Sequence, residues 1–351
     1  MSILVLYNYP LLTTDAIKSA TGMVGFKTLM VLLKRGHLVR AAVRTQAGFD
    51  RIRSLECIRG YTSQLSSIVV PDNTVPGAYD EAVRGATFVI HVASPVSAGT
   101  SKTEAELRES MIRPAVQGTI GLLTAAKKTG NVERVVITGS LASIASRDRM
   151  ASGEVIDENT LDVDTDCPLQ PSNAYSVSKA LALTAIKDFV QLESPNFTVI
   201  NIFPVFVLGR DDSVTDVETI ARKGTNSLLL RPLLGIRQDI PLGGSTVHID
   251  DVAEMHVRAL DDSIRGNEDF IAAAGPMEWA DSFDIVKRRF PKEYGEGVFA
   301  FDDAVRPVTS TINADNSKAR RMLGMEFKSF EEQVVSLVGH YLELRGSVKN
   351  G

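Results

Sequence analysis

Short apolar runs alternate with longer helical patterns through the first two hundred residues, and this alternation limits the possible fold more than any other feature. The short runs are rich in β-branched residues, whereas the longer segments repeat apolar residues at helical spacing. Such alternation is typical of βαβ units, in which helices cover both faces of a parallel sheet. Right-handed crossovers then favour an α/β fold with a doubly wound parallel sheet.

The expected elements follow this pattern closely. Strands are expected at 3–7, 38–43, 68–70, 88–93, 134–138 and 198–203, and helices at 24–35, 77–83, 104–129 and 174–192. Short helices are expected later at 217–223, 250–260, 280–290, 316–323 and 330–344. The sequence therefore predicts a Rossmann domain from 1 to 203, joined by 245–262, and a smaller substrate-binding lobe from 204–244 and 263–351.

Composition excludes several classes of function. The net charge of −5 and the lack of a long basic run argue against a nucleic-acid or anionic-membrane partner. Two cysteines give no disulfide framework, and the five histidines show no close ligand spacing, so no metal is expected. The apolar N-terminus lacks a basic region before it, and no apolar run approaches the roughly 20 residues of a membrane span. We expect a cytoplasmic protein that is a monomer or a homodimer.

A tyrosine and a lysine four residues apart, Tyr175 and Lys179, are the leading candidates for chemistry. Ser172 or Asn173 can cap a helix here, and the apolar residues that follow keep helical spacing. Positions i and i+4 share a face, so the phenol and the ammonium should point the same way. A nearby ammonium lowers a tyrosine pKa that starts at about 10, which suits a general acid or base. A chance pair on a solvated helix is the alternative.

A segment with two glycines opens the first expected helix and has the composition of a dinucleotide-binding turn. Its candidate cofactor residues are Ser19, Thr21, Gly22, Met23, Val24 and Gly25. Ser19 stands where the first glycine is expected, and a serine forced to positive φ costs roughly 1–3 kcal/mol. Residues 8–18 separate it from the first strand-like run, either as an insertion or because 15–19 replaces that strand. We therefore expect weak cofactor affinity, tightened by Ser19→Gly and by deleting 8–18; a helix start without a nucleotide is the alternative.

An arginine at the end of the second expected strand, Arg44, indicates the preferred dinucleotide. An acidic residue here would bind the ribose of NAD, whereas an arginine suits the additional phosphate of NADPH. A solvated strand-end arginine remains the alternative. Asp72 and Asn73 follow the third strand and could meet the adenine. The segment 92–95 ends the fourth strand, where the cofactor must cross the sheet.

Taken together, these motifs resemble those of the extended short-chain dehydrogenase/reductases, which belong to the NAD-dependent epimerase/dehydratase superfamily. Within that group they are most similar to fungal ketone/aldehyde reductases related to plant dihydroflavonol 4-reductase and cinnamoyl-CoA reductase. The resemblance extends from residue 19 to about 345 and rests on the order and spacing of seven motifs. They lie at 20–25, 92–95, 114–119, 138–140, 175 with 179, 204–209 and 248–253.

The resemblance implies a catalytic triad of Ser140, Tyr175 and Lys179. Ser140 would bind the substrate carbonyl, Tyr175 would deliver the proton, and Lys179 would hold the nicotinamide ribose and lower the tyrosine pKa. Hydride would pass from NADPH to the carbonyl carbon of a small-molecule substrate. The resemblance also implies a set of residues that line the cofactor: Asn73, Ala93, Ser94, Pro204 and Val207.

The chain departs from these relatives at four positions. Besides Ser19, Gly139 stands where many of them carry a serine, and Gly48 stands where they often place a lysine. Arg44 is therefore left to hold the phosphate alone. Ala174 replaces the tryptophan of the cinnamoyl-CoA reductase signature, so a CoA thioester is not the expected substrate.

The segment 210–244 is expected to form much of the substrate pocket. It carries five leucines, Leu228, Leu229, Leu230, Leu233 and Leu234, which either line an apolar pocket or pack the lobe's own core. The leading expectation is a reductase for the ketone or aldehyde of a medium-sized, apolar or aromatic metabolite, possibly in secondary metabolism. A nucleotide-sugar epimerase or dehydratase, disfavoured by Arg44, and a binding or vestigial protein that has lost its cofactor are the alternatives.

Overall fold

The computed structural model describes residues 2–6, 22–92 and 103–349, with the side chains of 2–6 and 347–349 left aside. The strands of the described chain are β1 Ser2–Leu6, β2 Leu38–Val43, β3 Leu65–Val69, β4 Phe88–His91, β5 Arg134–Thr138, β6 Val155–Ile156, β7 Thr198–Pro204, β8 Phe206–Leu208, β9 Leu242–Gly243, β10 Thr246–His248, β11 Glu268–Ala272, β12 Thr309–Ser310 and β13 Asn313–Ala314.

The helices follow the same order. They are α1 Met23–Lys34, α2 Gln46–Ser54, α3 Asp80–Val83, α4 Glu104–Leu107, α5 Arg113–Thr129, α6 Arg147–Ala151, α7 Ala174–Glu193, α8 Val217–Arg222, α9 Asn226–Leu233, α10 Ile249–Arg258, α11 Asp281–Arg289, α12 Pro291–Gly295, α13 Ser317–Leu323 and α14 Phe330–Lys349. A π-helical segment, Arg108–Ile112, joins α4 to α5, and 3₁₀ helices lie at Glu56–Gln64 and Leu141–Ser143. Within the described residues, none of the helices is both long and apolar enough to traverse a bilayer.

A seven-stranded sheet forms the centre of the fold, in the order β11-β7-β5-β4-β1-β2-β3. Strands β1 to β5 and β7 pair in parallel, so connecting helices must cross from one end of the sheet to the other. The order reverses between β1 and β4, which is the crevice where doubly wound sheets bind ligands. The expected doubly wound Rossmann sheet is therefore confirmed.

The first strand lies at the centre of this sheet. Its last residue, Leu6, pairs with Ala42 on one side and His91 on the other. Helix α1 begins only at Met23, so the central strand position is filled well before the glycine-containing turn. This arrangement agrees with an insertion between strand and helix, although the intervening residues 7–21 lie outside the described part of the chain.

Helix α1 forms and ends as its sequence predicts. Its buried face carries Phe26, Leu29, Leu32 and Leu33, and burying each such side chain contributes about 1.5–3 kcal/mol. The helix ends where Gly36 adopts φ +80°, a left-handed conformation that glycine enters without a Cβ penalty. The buried face therefore fixes α1 against the rest of the fold. Because α1 follows β1, its N-terminus lies toward the carboxyl edge of the sheet.

Contacts between residues divide the chain into two compact units. The first comprises Met1–Ser146, Glu158–Phe203 and Ala253–Phe270, and the second comprises Arg147–Asp157, Pro204–Val252 and Ile271–Gly351. The division into a Rossmann domain and a smaller substrate-binding lobe, as expected from the sequence, stays a prediction.

Arg134, at the start of β5, is buried and hydrogen-bonds several other segments of the first unit. Its guanidinium donates to the carbonyl groups of Ala259 at 2.9 Å and Ile264 at 2.6 Å, and also to that of Asp261. Its Nε donates to Thr198 Oγ1 on the neighbouring strand at 3.0 Å. One buried cation thereby holds the segment after α10 against the N-terminal end of the sheet.

The second unit has its own hydrophobic core, built around Trp279, Phe283 and Phe299. In α9, Leu229, Leu230 and Leu233 are buried in this cluster, and Leu228 and Leu234 pack against it. The leucines therefore belong to the core of the unit, the second of the two alternatives drawn from the sequence. They give no support for an apolar substrate pocket.

Candidate active site

Lys179, on the buried face of α7, is the central charged group of the candidate site. Its side chain is 7% exposed, and its Nζ donates to the carbonyl oxygen of Thr138 at the end of β5, 2.9 Å away. Burial lowers the pKa of Lys179 to about 7, because an apolar environment disfavours the ammonium form. A lysine with a perturbed pKa at the carboxyl end of a parallel strand marks a functional site.

Tyr175 lies one turn earlier on the same helix, as the spacing predicts, and forms a side-chain hydrogen bond with Ser140. Burial raises the pKa of Tyr175 above its ordinary value, and the hydrogen bond from Ser140 opposes this effect without cancelling it. The expectation of a lowered tyrosine pKa is therefore wrong for this structure. The Lys179 ammonium is turned to Thr138 and is itself easily deprotonated, so it does not offset the burial of the phenol.

Ser140 is held in place by the backbone at the end of β5. Its Oγ accepts from the Ala142 N–H at 3.2 Å, and its own N–H donates to Ser143 Oγ at 2.9 Å. Just before it, the Gly139 N–H donates to the Ile202 carbonyl at 2.7 Å, which continues the pairing with β7. These bonds fix the serine at the start of a 3₁₀ turn, with its hydroxyl beside Tyr175.

The glycine before Ser140 has a steric explanation. A Cβ at Gly139 would lie 2.5 Å from the ring of Phe203, which is fully buried. The serine that many relatives carry at this position cannot fit beside that ring without displacing it. Gly139 and Phe203 are therefore coupled by packing, and the sequence alone shows only half of the pair.

The residue preceding α7 is Asn173, one of the two expected caps, but its side chain does not cap the helix. Its Oδ1 accepts from the Gln170 N–H at 2.8 Å, and its Nδ2 donates to the Pro168 carbonyl at 3.0 Å. The amide thus ties down the loop that leads into the helix. This loop precedes Tyr175 directly.

The N-terminus of α1 has the features of an anion site in the part that the structure describes. Gly22 precedes the helix in an extended conformation, no side chain caps it, and the first turn holds no acidic residue. Met23 and Val24 are half-buried and Gly25 is buried. Aligned peptide dipoles make such a terminus favourable for phosphate. Ser19 and Thr21, and likewise Ala93 and Ser94 beyond β4, lie outside the described residues.

Arg44 follows β2 directly and is half-buried. Burial lowers the pKa of Arg44, while the Asp72 carboxylate acts in the opposite direction. Asp72 itself accepts hydrogen bonds from the N–H and the hydroxyl of Thr74, at 2.8 and 2.7 Å, and these hold its pKa below the ordinary value. Nearby Arg113 and Arg44 lower it further. The two expected residues after β2 and β3 are thus electrostatic neighbours.

Asn73 is buried between the loop after β3 and helix α5. Its Nδ2 donates to the Pro114 carbonyl at 3.4 Å, and its side chain also hydrogen-bonds Tyr79. A Cβ at Gly118 would overlap this amide, which explains a glycine inside α5. These contacts give Asn73 a packing role. Its contact with the cofactor stays a prediction.

Pro204 and Val207 belong to the second unit. Pro204 ends β7, and Val207 lies in β8, where it pairs with Val247 of the parallel strand β10. Beyond β8, Gly209 has φ +133°, and a Cβ there would lie 3.1 Å from Nε2 of the buried His248. The motifs at 204–209 and 248–253 are therefore packed together. The cofactor role of Pro204 and Val207 stays a prediction.

Buried polar groups around Lys179 were missed by the sequence analysis, which considered the histidines only as metal ligands. His91 Nε2 lies 3.2 Å from Thr119 Oγ1, and burial lowers the pKa of His91 to about 3. Thr138 Oγ1 lies 2.6 Å from His256 Nε2. The available signal was a polar residue at the carboxyl end of a mainly apolar strand, in β4 and again in β5.

Fold and site define a Rossmann-type oxidoreductase with a serine, a tyrosine and a buried lysine at the end of β5. Residues 20–273 match the NAD dependent epimerase/dehydratase family, and the chain belongs to this family. The resemblance noted in the sequence is thereby confirmed.

Individual relatives show which named proteins the chain is similar to. The chain is 32% identical to ketoreductase CTB6 of Cercospora nicotianae over 338 residues, which cover 93% of this chain and 94% of the relative. It is 29% identical to the putative NADPH-dependent methylglyoxal reductase GRP2 of Candida albicans, covering 93% and 99% of the two chains. The crystal structure of yeast methylglyoxal/isovaleraldehyde reductase Gre2 complexed with NADPH has a TM-score of 0.80 at 24% identity, with 99% of both chains covered. That likeness shows the fold.

Proposed function

We propose that this protein is an NADPH-dependent reductase that transfers hydride to the ketone or aldehyde carbonyl of a small metabolite. The observation that carries the proposal is the buried Lys179 at the end of β5, with Tyr175 one turn earlier beside Ser140. Similarity to a ketoreductase and to a putative NADPH-dependent reductase supports the same reaction class.

The described residues fit a phosphorylated dinucleotide. Arg44 supplies a cation after β2 for the 2′-phosphate, and the positive end of the α1 dipole at Gly22 favours the pyrophosphate. The Lys179 ammonium has three donors, of which one reaches Thr138, so a second is available to the nicotinamide ribose. When bound, NADPH supplies the hydride.

The protein's own groups handle the proton and the orientation of the carbonyl. Ser140 is fixed by its backbone contacts, and its hydroxyl, which hydrogen-bonds Tyr175, can turn its single hydrogen to the substrate oxygen when a substrate binds. Burial keeps the phenol of Tyr175 protonated at neutral pH, which is the form that a proton donor needs in reduction. The reverse oxidation would need the phenolate, which burial disfavours.

The finer proposal is a medium-sized, apolar or aromatic substrate of secondary metabolism. The relative from Cercospora nicotianae is named a ketoreductase, and this name supports a ketone more than a sugar nucleotide. A cytoplasmic location and a monomeric or homodimeric state are part of the same proposal.

Cofactor titration and a reduction assay test the proposal together. The parent should bind NADPH more tightly than NADH, and Arg44→Ala should weaken NADPH by about 10- to 100-fold, since a charge-assisted bond is worth about 1.5–3 kcal/mol. Arg53→Ala, an exposed arginine on α2, is the matched control. Tyr175→Phe should retain NADPH binding and lose turnover by a factor of about 10²–10⁴. Equal affinity for both cofactors, or full activity of Tyr175→Phe on a ketone panel, would refute the assignment.

A further inference from the structure

A small cavity with both apolar and polar groups on its wall lies in the first unit next to Lys179. Its volume is about 20 Å³, which is the space for roughly one water molecule. The polar side chains along its wall come from six different elements: His91, Thr119, Thr138, Ser143, Lys179 and Asn201. A cavity of this size with several polar groups on its wall is suited to hold an ordered water.

The hydrogen bonds of Thr119 determine which nitrogen of His91 carries the hydrogen. The Thr119 hydroxyl donates its single hydrogen to the Ala115 carbonyl at 2.7 Å, so it can only accept from His91. Nε2 of His91, 3.2 Å away, therefore bears the hydrogen, and Nδ1 is left as an acceptor. Nδ1 is buried and has no partner within the described part of the chain, although a buried acceptor without a donor is costly.

Lys179 has the opposite imbalance. Its side chain is 93% buried, and within the described residues its Nζ makes one hydrogen bond, to Thr138, although an ammonium has three donors. A nicotinamide ribose would use a second donor, and one remains. The same cavity is thus bordered by an acceptor that lacks a donor and by a donor that lacks an acceptor.

We infer that one water in this cavity accepts a hydrogen bond from Lys179 Nζ and donates one to His91 Nδ1. His91 is then a positioning residue, which acts on the reaction through the water and the lysine. The inference rests on the proposed function only for its consequence in catalysis, because the water itself follows from the cavity and its polar groups.

The water should favour the charged form of Lys179, because an acceptor next to an ammonium offsets part of the cost of burial. The titratable groups around the lysine are Tyr175 on its own helix, His91 on β4 and His256, which reaches Thr138 from α10. Burial keeps His91 neutral across the pH range of an assay, since its pKa is lowered to about 3. A change in pH profile near neutrality therefore reports on the lysine and not on this histidine.

Crystallography of the unmodified protein tests the water directly. We expect one ordered water within hydrogen-bonding distance of both Lys179 Nζ and His91 Nδ1. An empty cavity at a resolution that shows ordered water elsewhere in the core would overturn the inference, as would a water that contacts only one of the two nitrogens. This measurement needs neither a variant nor activity.

Two substitutions of His91 separate positioning from packing. The amide of His91→Gln can reach the Nε2 position and donate to Thr119, but it offers nothing at the Nδ1 position, whereas His91→Asn can place its oxygen near Nδ1 and loses Thr119. With NADPH and a ketone, His91→Gln should lose its activity at alkaline pH about one pH unit earlier than the parent, a tenfold loss at a fixed pH above that limb. His91→Asn should keep the parental profile. The opposite order would show that the Thr119 contact is what matters.

Failure of the proposed function would look different. If the parent reduces no carbonyl compound with NADPH, the function is refuted, and the water is still decided by the crystal structure. The pH dependence of the unfolding free energy then reports on the lysine without any activity: its midpoint should fall by about one pH unit in His91→Gln and stay in place in His91→Asn. Identical midpoints in the parent and both variants would overturn the positioning role.

Discussion

Burial of the Lys179 ammonium should make the stability of the protein depend on pH in a way that one substitution removes. The pKa of Lys179 falls to about 7 in the folded protein, from an ordinary value of 10.5. Between these two values the unfolded chain holds a proton at this position that the folded chain lacks. The free energy of unfolding therefore rises with pH by about 1.4 kcal/mol per unit. The destabilisation is complete below pH 7 and disappears as the pH approaches 10.5.

The change to make is Lys179→Met, which removes the charge and shortens the unbranched side chain by one atom. Denaturant unfolding at pH 7, 8 and 9 gives the free energy of unfolding for parent and variant, and subtraction removes every other titrating group. In the folded parent, Lys179 is half deprotonated at pH 7. The free energy of unfolding of the parent, minus that of the variant, should therefore rise by about 2 kcal/mol between pH 7 and 9. Lys187→Met, on the exposed side of the same helix, is the control. Parallel pH curves for parent and Lys179→Met would refute the reasoning.

Two further predictions concern packing in the first unit. Gly139→Ser should destabilise the protein by about 1–3 kcal/mol because its Cβ meets the Phe203 ring. Phe203→Leu in the same chain should relieve most of that loss. Equal effects of Gly139→Ser with Phe203 and with Leu at that position, measured by thermal unfolding, would contradict the steric explanation. Arg134→Met should cost about 2 kcal/mol or more because it leaves the buried carbonyl groups of Ala259 and Ile264 without the guanidinium donor, and Arg134→Lys should restore only part of it because lysine lacks the planar fork. Unfolding midpoints like that of the parent would show that these carbonyls are satisfied in another way.

The sheet could be predicted because its strands are short apolar runs bounded by polar or glycine residues. The runs at 38–43 and 134–138 coincide with β2 and β5, and the helix expected at 104–129 is present with a π-helical segment inside it. Helix α9 was missed because consecutive leucines and Pro232 hide its helical period. The two-residue strands of the second unit are too short to show any period.

The sequence could predict those features of the site that depend on residues close together in the chain, but not the contacts between distant residues. A spacing of four positions places Tyr175 and Lys179 on one face of α7, and the residue types are visible in the sequence. The partner of Lys179 is Thr138, forty-one residues away, and the partner of His91 is Thr119, twenty-eight residues away. The direction of the tyrosine pKa shift depends on such distant contacts and on burial, so local spacing predicted the wrong sign.

Burial favours the protonation state that catalysis needs at Tyr175 and disfavours the one it needs at Lys179. Burial disfavours charge on both, so it keeps the phenol of Tyr175 protonated and pushes Lys179 toward the neutral amine. A protonated phenol is what carbonyl reduction needs, whereas a neutral amine would hold the ribose and assist the phenol less well. The surroundings must therefore restore the charge on the lysine without exposing the tyrosine. Two hydrogen-bond acceptors next to the ammonium favour its charged form: the Thr138 carbonyl and the proposed water beside His91. Neither of them requires the phenol of Tyr175 to be more exposed.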